Sequence, residues 1–370
     1  MRAWILCISL FVYECVGAFS AELPKTLEIG STAPDFKLPG TDGREYSLKD
    51  FATAKILVVV FTCNHCPTAQ AYEDRIQKIA EEYKGRGVAL VAVSPNDPLA
   101  VRLDELGYTD LGDSFEDMKI RALDKGFTFP YLYDGETQQM SQAYGPMATP
   151  HVFVFNQDRR LCYAGRVDDN ERFGKAVHYD TRLAIEALLD GKPVPVEQTK
   201  TFGCSIKWAD KRSSVKSALD RWAREEVTLE QADPTAIQTL IRNDSGKLRL
   251  INVWATWCGP CVVEFPELVS IFRMYRGREF ELVTISADMP EKKDAALTFL
   301  KKQQASSKNY IFSVEDKYKL IDTVDKLWPG SLPHTILVDP GGKIQYRQTG
   351  ELDPLALKKA IVSRLGRYYK

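Results

Sequence analysis

The chain has 370 residues, and its 49 Lys and Arg against 50 Asp and Glu leave a net charge of −1 with the histidines neutral. That length accommodates two domains with full cores. The charge balance excludes bulk electrostatics as a reason to bind nucleic acid or an anionic membrane surface.

Arg2, an apolar run over residues 4–12 and small residues at Gly17, Ala18, Ser20 and Ala21 read as a secretory signal peptide over residues 1–21, and so as export to a periplasmic or other extracytoplasmic space. Glu14 is unusual so near the apolar run. The alternative is an uncleaved anchor, the only route by which the sequence ties the protein to a membrane. Six cysteines follow the segment, at 63, 66, 162, 204, 258 and 261. An even number in an exported protein permits disulfides, and Cys162 and Cys204 are assigned to no pair.

Residues 22–195 alternate strands and helices. Residues 33–38 and the Asp42-Gly43 turn predict a hairpin. Residues 56–61 and 88–93 are continuous apolar runs of buried strands, with a helix over 63–83 between them. A polar stretch, 96–126, ends in a helix. A short strand at 129–133, a helix at 137–144, a hairpin of 152–155 with 161–166 and a helix at 175–189 complete this half. Residues 196–226 read as a connector with one charged helix. Residues 227–370 then repeat the plan: a helix at 234–242, a strand ending at Trp254, a helix from Cys258, a strand at 280–286 and a helix at 291–303. A strand near 310–312, a helix at 317–327, a hairpin of 335–338 with 344–348 turned at Gly341-Gly342, and a helix at 353–365 close the chain. The fold class is α/β, with a mixed central sheet flanked by helices in each half.

Two motifs anchor the repeat. Cys63-Asn64-His65-Cys66 and Cys258-Gly259-Pro260-Cys261 each join a buried strand to an amphipathic helix. Thr149-Pro150-His151 and Leu332-Pro333-His334 each lead into a later strand. Pro150 lies 84 positions after Cys66 and Pro333 lies 72 after Cys261, so the first half carries an insertion of about a dozen residues, placed in 96–126.

This spacing suits thiol–disulfide exchange. The attacking species is a thiolate. A cysteine at a helix N-terminus faces free N–H groups and the positive end of the dipole, which lower its pKa. Two intervening residues let the second sulfur reach the first. The expectation is that Cys63 and Cys258 attack, that Cys66 and Cys261 resolve, and that disulfides close as Cys63–Cys66 and Cys258–Cys261. His65 sets an imidazole beside Cys63, where it favours the thiolate and makes the first site the more oxidising; Gly259-Pro260 adds no charge. The plain alternative for His65 is an exposed polar residue.

Pro150 and Pro333 are expected to be cis, with a trans proline opening an edge strand as the alternative. Glu264, three residues after Cys261, is placed to take the proton of a resolving thiol; otherwise it is a solvated carboxylate near a helix start. His151 and His334 read as core or rim residues. Zinc is the rival use of paired Cys-x-x-Cys, but no third and fourth ligands lie near either pair, so no metal and no cofactor beyond the redox-active disulfides is expected. A purely structural disulfide across so short a loop would stabilise little.

The run Trp254-Ala255-Thr256-Trp257-Cys258-Gly259-Pro260-Cys261-Val262-Val263-Glu264-Phe265-Pro266 resembles the TlpA/ResA-type thiol–disulfide oxidoreductases of the thioredoxin superfamily. The likeness implies a redox-active disulfide, a cis-Pro at Pro333 and a functional acid at Glu264. The first half is similar to a redoxin/peroxiredoxin-like branch whose members carry Cys-Asn-His-Cys-Pro. Gly203-Cys204-Ser205-Ile206-Lys207-Trp208 looks like that branch's C-terminal signature and ties Cys204 to the first half. Supporting residues are then His65, Thr149 and Pro150 around the first pair, and Trp257, Glu264, Leu332 and Pro333 around the second. True peroxiredoxins carry Pro-x-x-x-Thr-x-x-Cys; counted back from Cys63 those places hold Ile56 and Val60, so the groups that would bind peroxide are missing.

The reading is an exported thiol–disulfide oxidoreductase of two tandem thioredoxin-like domains. It acts on protein or small-molecule thiols and disulfides, draws on an unidentified electron donor, and relays electrons internally from the second site to the first. A thiol peroxidase at Cys63 and a non-catalytic module with a binding groove beside Pro150 or Pro333 are the alternatives.

Overall fold

The computed structural model describes residues 24–369, and the expected signal peptide lies outside them. A hairpin of β1 (Lys37–Pro39) and β2 (Glu45–Ser47) comes first. Its turn passes through Gly43 at φ +82°, a conformation that favours glycine. There follow β3 (Ile56–Phe61), α1 (Pro67–Lys84), β4 (Val88–Ser94), α2 (Phe115–Lys125), β5 (Tyr131–Tyr133), α3 (Gln139–Tyr144), β6 (His151–Phe155), β7 (Leu161–Gly165) and α4 (Asp180–Leu189). The sheet order is β5-β4-β3-β6-β7, with β3, β4 and β5 parallel and β6 and β7 antiparallel.

β3 is apolar throughout because both of its faces are covered. Ile56, Val58 and Val60 share a core with Tyr72, Ile76, Ile79 and Tyr83 of α1. Leu57, Val59 and Phe61 point the other way, into a core with Phe36 and Tyr46 of the hairpin segment and Tyr144 of α3. The strand's two-residue alternation and the helix's 3.6-residue period thus meet on one face.

The second half contains α5 (Arg212–Trp222), β8 (Glu230–Ala232), α6 (Pro234–Arg242), β9 (Leu248–Trp254), α7 (Gly259–Tyr275), β10 (Phe280–Ser286), α8 (Lys293–Lys302), β11 (Lys308–Phe312), α9 (Lys317–Val324), β12 (His334–Val338), β13 (Ile344–Thr349) and α10 (Pro354–Leu365). Its sheet order is β13-β12-β9-β10-β11-β8. β9, β10, β11 and β8 run parallel, and β12 and β13 run antiparallel.

Three features differ from the sequence reading. β8 carries no strand signal of its own, since two of its three residues are exposed and only its pairing with β11 defines it. α4 starts at Asp180 rather than near 175; the loop before it is fastened to α1 through Asp168, which accepts hydrogen bonds from Tyr72 Oη (2.7 Å) and Arg75 Nη1 (2.8 Å). The first part of the expected connector is woven onto the first half. Gln198 bridges Ala164, Cys204 bridges Thr149, and Lys207 N–H donates to Asn96 Oδ1 at 2.8 Å.

The two halves meet along the first half's insertion. Leu103 and Leu106 pack against the second core. Tyr275 Oη donates to the Thr109 carbonyl at 2.7 Å, and Arg278 Nη1 to the Gly107 carbonyl at 2.6 Å. Arg367 forks onto Asp110 at 2.6 and 2.8 Å. Among the described residues no helix is long and apolar enough to cross a membrane.

Candidate active sites

β9 delivers the chain to the second site. Asp288 fixes the turn after it, accepting from Thr256 N–H (3.0 Å) and Thr256 Oγ1 (2.6 Å). Cys258 is the N-cap of α7, and its sulfur accepts from the Cys261 N–H at 3.3 Å. The Cys258–Cys261 disulfide is closed. Leu332–Pro333 is cis, and Trp257 stands 70% exposed beside the disulfide.

Glu264 is buried rather than solvated. Burial pushes its carboxyl up to about 7, against hydrogen bonds from the Leu352 N–H (2.9 Å) and Asn252 Nδ2 (3.4 Å) that favour the anion. A carboxyl poised near neutrality, one helical turn after Cys261, is suited to exchange a proton with it. His334 is a core residue, stacked on Trp328 at 4.9 Å and held neutral because burial lowers its pKa to about 4. Burial does the same to His151, whose Nδ1 accepts from the Met147 N–H at 3.1 Å.

The first site looks alike in sequence but is offset in space. Phe61 lies opposite His151 across β3 and β6, and Val253 lies opposite His334 across β9 and β12. Five residues beyond these equivalent positions come Cys66 in one half and Cys258 in the other. Cys66 is the N-cap of α1 and accepts from the Ala69 N–H at 3.4 Å, as Cys258 does from Cys261. By this register Cys63 takes the place of Ala255, and Ala69 the place of Cys261. The shared letters are therefore displaced by three residues, and the thiol at the helix terminus is Cys66. The expected start of the helix at Cys63 is corrected accordingly: the helix begins at Pro67 with Cys66 as its cap. Measured from matching cysteines, Pro150 follows by 84 and Pro333 by 75 positions, so the insertion is nine residues rather than a dozen.

The expected Cys63–Cys66 disulfide is open, with both thiols buried. Each sulfur has an oxygen partner on Thr149, which precedes the cis Pro150: Cys63 Sγ meets Thr149 Oγ1 at 3.2 Å and Cys66 Sγ meets its carbonyl at 3.5 Å. Burial pushes the Cys63 thiol well up, and Cys66 and the Asp113 charge add to it. Cys66 goes the other way. Burial opposes its ionisation, yet hydrogen bonds with Cys204 and Cys63, the charge on His65 and the Ala69 N–H together hold it well below an ordinary thiol.

His65 is buried rather than exposed, and its charge acts on Cys66 rather than on Cys63. Its Nδ1 lies 2.5 Å from Asp113 Oδ2. Burial alone would lower its pKa, but the Asp113 charge and hydrogen bond outweigh burial and raise it. The same pairing holds the buried Asp113 carboxyl below its usual range. Asp113 Oδ1 also accepts the N–H groups of Asn64 (2.9 Å) and His65 (3.1 Å), and Oδ2 accepts from Asn96 Nδ2 (2.7 Å). Asp113 thus ties the motif's turn to the insertion. It lies 48 residues from His65 and no spacing rule singles it out.

Cys63, His65 and Asp113 are the one set of metal-ligand types within mutual reach among the described residues. Both Asp113 oxygens are already hydrogen-bonded, so a metal would have to break that knot. Cys162 stands apart, its thiol donating to the Arg160 carbonyl at 3.4 Å.

A helix-capping cysteine after the central strand, facing a cis-proline loop on a mixed sheet, defines the class of dithiol proteins built on a thioredoxin-like fold. A Redoxin family model matches residues 28–182, and an AhpC/TSA family model matches residues 225–347. The chain belongs to the thioredoxin superfamily and has two domains of that kind.

Among curated relatives, the thiol-disulfide oxidoreductase ResA of Bacillus subtilis (strain 168) is 29% identical over 107 residues, 29% of this chain and 55% of that protein. ResA of Geobacillus thermodenitrificans (strain NG80-2) is 27% identical over 165 residues, 44% of this chain and 83% of that protein. The chain spans 55–60% of the first of these relatives. Among solved structures, a hypothetical protein, SMc02350, from Sinorhizobium meliloti 1021 is 34% identical, covering 50% of this chain and 98% of that one with a TM-score of 0.45. A putative thiol:disulfide interchange protein DsbE from Chlorobium tepidum is 19% identical, covering 44% and 99% with a TM-score of 0.34.

Proposed function

We propose that this protein is a thiol–disulfide oxidoreductase with two separate sites, Cys66 with Cys63 and Cys258 with Cys261, acting on protein or small-molecule thiols and disulfides. The observation that carries the reading is that each half caps the helix after its central strand with a cysteine whose sulfur accepts a main-chain N–H, beside a cis-proline loop.

At the second site the reduced pair would work as follows. The Cys258 thiolate attacks a substrate disulfide, forming a mixed disulfide and releasing one substrate thiolate. Glu264 takes the Cys261 proton, and Cys261 attacks Cys258 Sγ, releasing the second substrate thiolate and closing the bond present here. At the first site Cys66 is the attacking sulfur. His65 beside it, its pKa raised by Asp113, favours the Cys66 thiolate and with it the reduced form, which supports the first site as the stronger oxidant. Thiol peroxidase is the weaker reading. Counted from Cys66, the positions where peroxiredoxins carry Thr and Pro hold Cys63 and Val59.

Electron transfer from the second site to the first is part of the proposal. α7 is about 25 Å long, and Cys258 is at one end while Tyr275, at the other, touches the first half. The transfer is therefore assigned to encounters between molecules and should be second order in protein. Export rests on residues 1–21.

The test is a redox titration in glutathione or dithiothreitol buffers, with each cysteine read by alkylation and peptide mass. Two reversible couples, the Cys66 site at the higher potential, are expected. The proposal fails if neither pair titrates reversibly.

A further inference from the structure

The first site contains a third cysteine that the two-cysteine scheme leaves unused. We propose that Cys204 is a redox-active thiol that attacks Cys66 and forms a Cys66–Cys204 disulfide during turnover. The proposal rests on the reading of the first site as a thiol–disulfide exchange centre.

The geometry comes from the segment expected to be a connector. Cys204 packs against Cys63, Cys66 and Ala69 in a small cluster of its own. It pairs with Thr149, the residue whose side chain and carbonyl meet the other two sulfurs, and the Thr149 N–H donates to the Cys204 carbonyl at 3.0 Å. This approach requires the glycine before it. Gly203 sits at φ +137°, and a Cβ there would come within 2.0 Å of the Thr149 carbonyl oxygen.

The residues after Cys204 are held as firmly. The Asp97 N–H donates to the Lys207 carbonyl at 2.9 Å, and Lys207 Nζ pairs with Glu105 at 2.5 Å. A passing linker would not need such fastening. Interaction with the Cys66 sulfur is the foremost reason the ionisation of Cys204 is pushed up, ahead of burial.

Cys66 thus has a sulfur neighbour on each side, and their settings differ. Cys63 is 2% exposed and sits beneath the helix start, at the position Ala255 fills in the other half. Cys204 is only partly buried. The balanced sequence begins when the Cys66 thiolate attacks a substrate disulfide R–S–S–R′, giving Cys66–S–S–R and R′S⁻. Cys204 then attacks Cys66 Sγ, its proton passing to the departing RS⁻. The products are the Cys66–Cys204 disulfide and two substrate thiols, so two electrons pass from protein to substrate. Cys63 can next attack Cys66 Sγ, restoring the Cys204 thiol and leaving Cys63–Cys66 oxidised.

The experiment uses the reduced full chain and oxidised glutathione as probe, with acid quenching, alkylation and peptide mass. Cys63→Ser and, as an independent control, Cys63→Ala, which copies the residue at the matching place in the second half, should pass through a Cys66–glutathione adduct and accumulate a linked Cys66–Cys204 peptide. Adding Cys204→Ser to either should leave the adduct standing, its loss slowed at least tenfold. If the adduct forms in both single variants but Cys204 stays alkylatable, the Cys204 proposal is overturned while the exchange reading of Cys66 survives. If no adduct forms at Cys66 in any variant, both fall together.

Discussion

The two halves spell the same four-residue motif and use it differently. In the second, both cysteines lie within the start of α7 and are joined by a closed bond. In the first, the motif sits three residues earlier, so that Cys66 caps α1, Cys63 hangs in the preceding turn and Cys204 supplies another sulfur from a distant segment. Two sites with one consensus therefore differ in what surrounds their sulfurs: a helix terminus and a nearby buried carboxyl in one, a helix terminus with a buried histidine–aspartate pair and neighbouring thiols in the other. A Cys-x-x-Cys match fixes the spacing of sulfurs but not their place relative to the helix, and the helix sets the acidity.

Exchanging the cysteines one at a time breaks this comparison most sharply. Cys66→Ser should abolish rapid alkylation and glutathione adduct formation at the first site, whereas Cys63→Ser should retain them. In the reduced wild type, Cys66 should be alkylated at least about tenfold faster than Cys63 near pH 7, because the thiolate is the reacting species. Peptide-resolved iodoacetamide kinetics measure both. The reverse order would restore Cys63 as the attacking thiol and undo the displaced register.

Asp113→Asn should come next in effect. It leaves the shape nearly intact but removes the charge that raises the His65 pKa, so the Cys66 pKa should rise and the first site's potential should fall, with the second site unchanged. Parting a buried ion pair costs on the order of 3–5 kcal/mol, a loss that denaturant unfolding would show. The pair also sets a pH window. Asp113 has a depressed folded pKa, so its contribution is present above the unfolded value of about 3.9 and fades as pH falls through the folded one. His65 has a raised folded pKa, so its contribution is complete below about 6.5 and fades as pH rises through the folded value. The wild type should thus lose the advantage over Asp113→Asn at both ends of the pH range, and a constant difference would mean that the pair is not ionised.

Much of the fold was legible because β3, β9, β10 and their covering helices carry long, unambiguous periodicities. β8 was not, since three residues have no period. The site was legible where chemistry is local, as at Cys258, Cys261, Glu264 and the two Pro-His pairs. It was illegible where tertiary pairing decides. The offset between the motifs emerges only from the register of Phe61 with His151 and Val253 with His334. Asp113 and Cys204 reach the first site from segments read as an insertion and a connector. The Gly203-Cys204 dipeptide was the one available signal for the latter.

Glu264→Gln sharpens the second site. The carboxyl's folded pKa, about 7, lies above its unfolded value, so its stability contribution is complete below the unfolded pKa and is lost as pH rises through 7, where the buried group must ionise. Glutamine should relieve that loss and flatten the fall in stability above neutrality. It should also slow mixed-disulfide resolution at Cys258 by about tenfold or more, since the proton acceptor is gone. The first site's rates should not move. A variant whose resolution rate and pH profile match wild type would make Glu264 a buried carboxyl without a part in the exchange.

The smallest effect tests how the second half bears on the first. Beyond α10, Arg367 pairs with Asp110 and donates to Gln70 at 3.2 Å, the Tyr369 ring meets Tyr108 at 5.0 Å, and burial together with the charges of Cys204 and Cys66 pushes the Tyr369 ionisation up. Tyr368 and Tyr369 also line a cavity of about 350 Å³ with Pro67, Ala71 and Arg75 at the start of α1. The tail therefore lies over the approach to Cys66. The segment is short, and removing residues 366–370 should raise alkylation of Cys204 and Cys66 only on the order of threefold. Tyr369→Ala should act on Cys204 first, because it leaves the Arg367 anchor in place. Cys258 and Cys261, after reduction, should react as before in both variants. If neither variant moves the Cys204 rate, the tail does not govern access to this thiol.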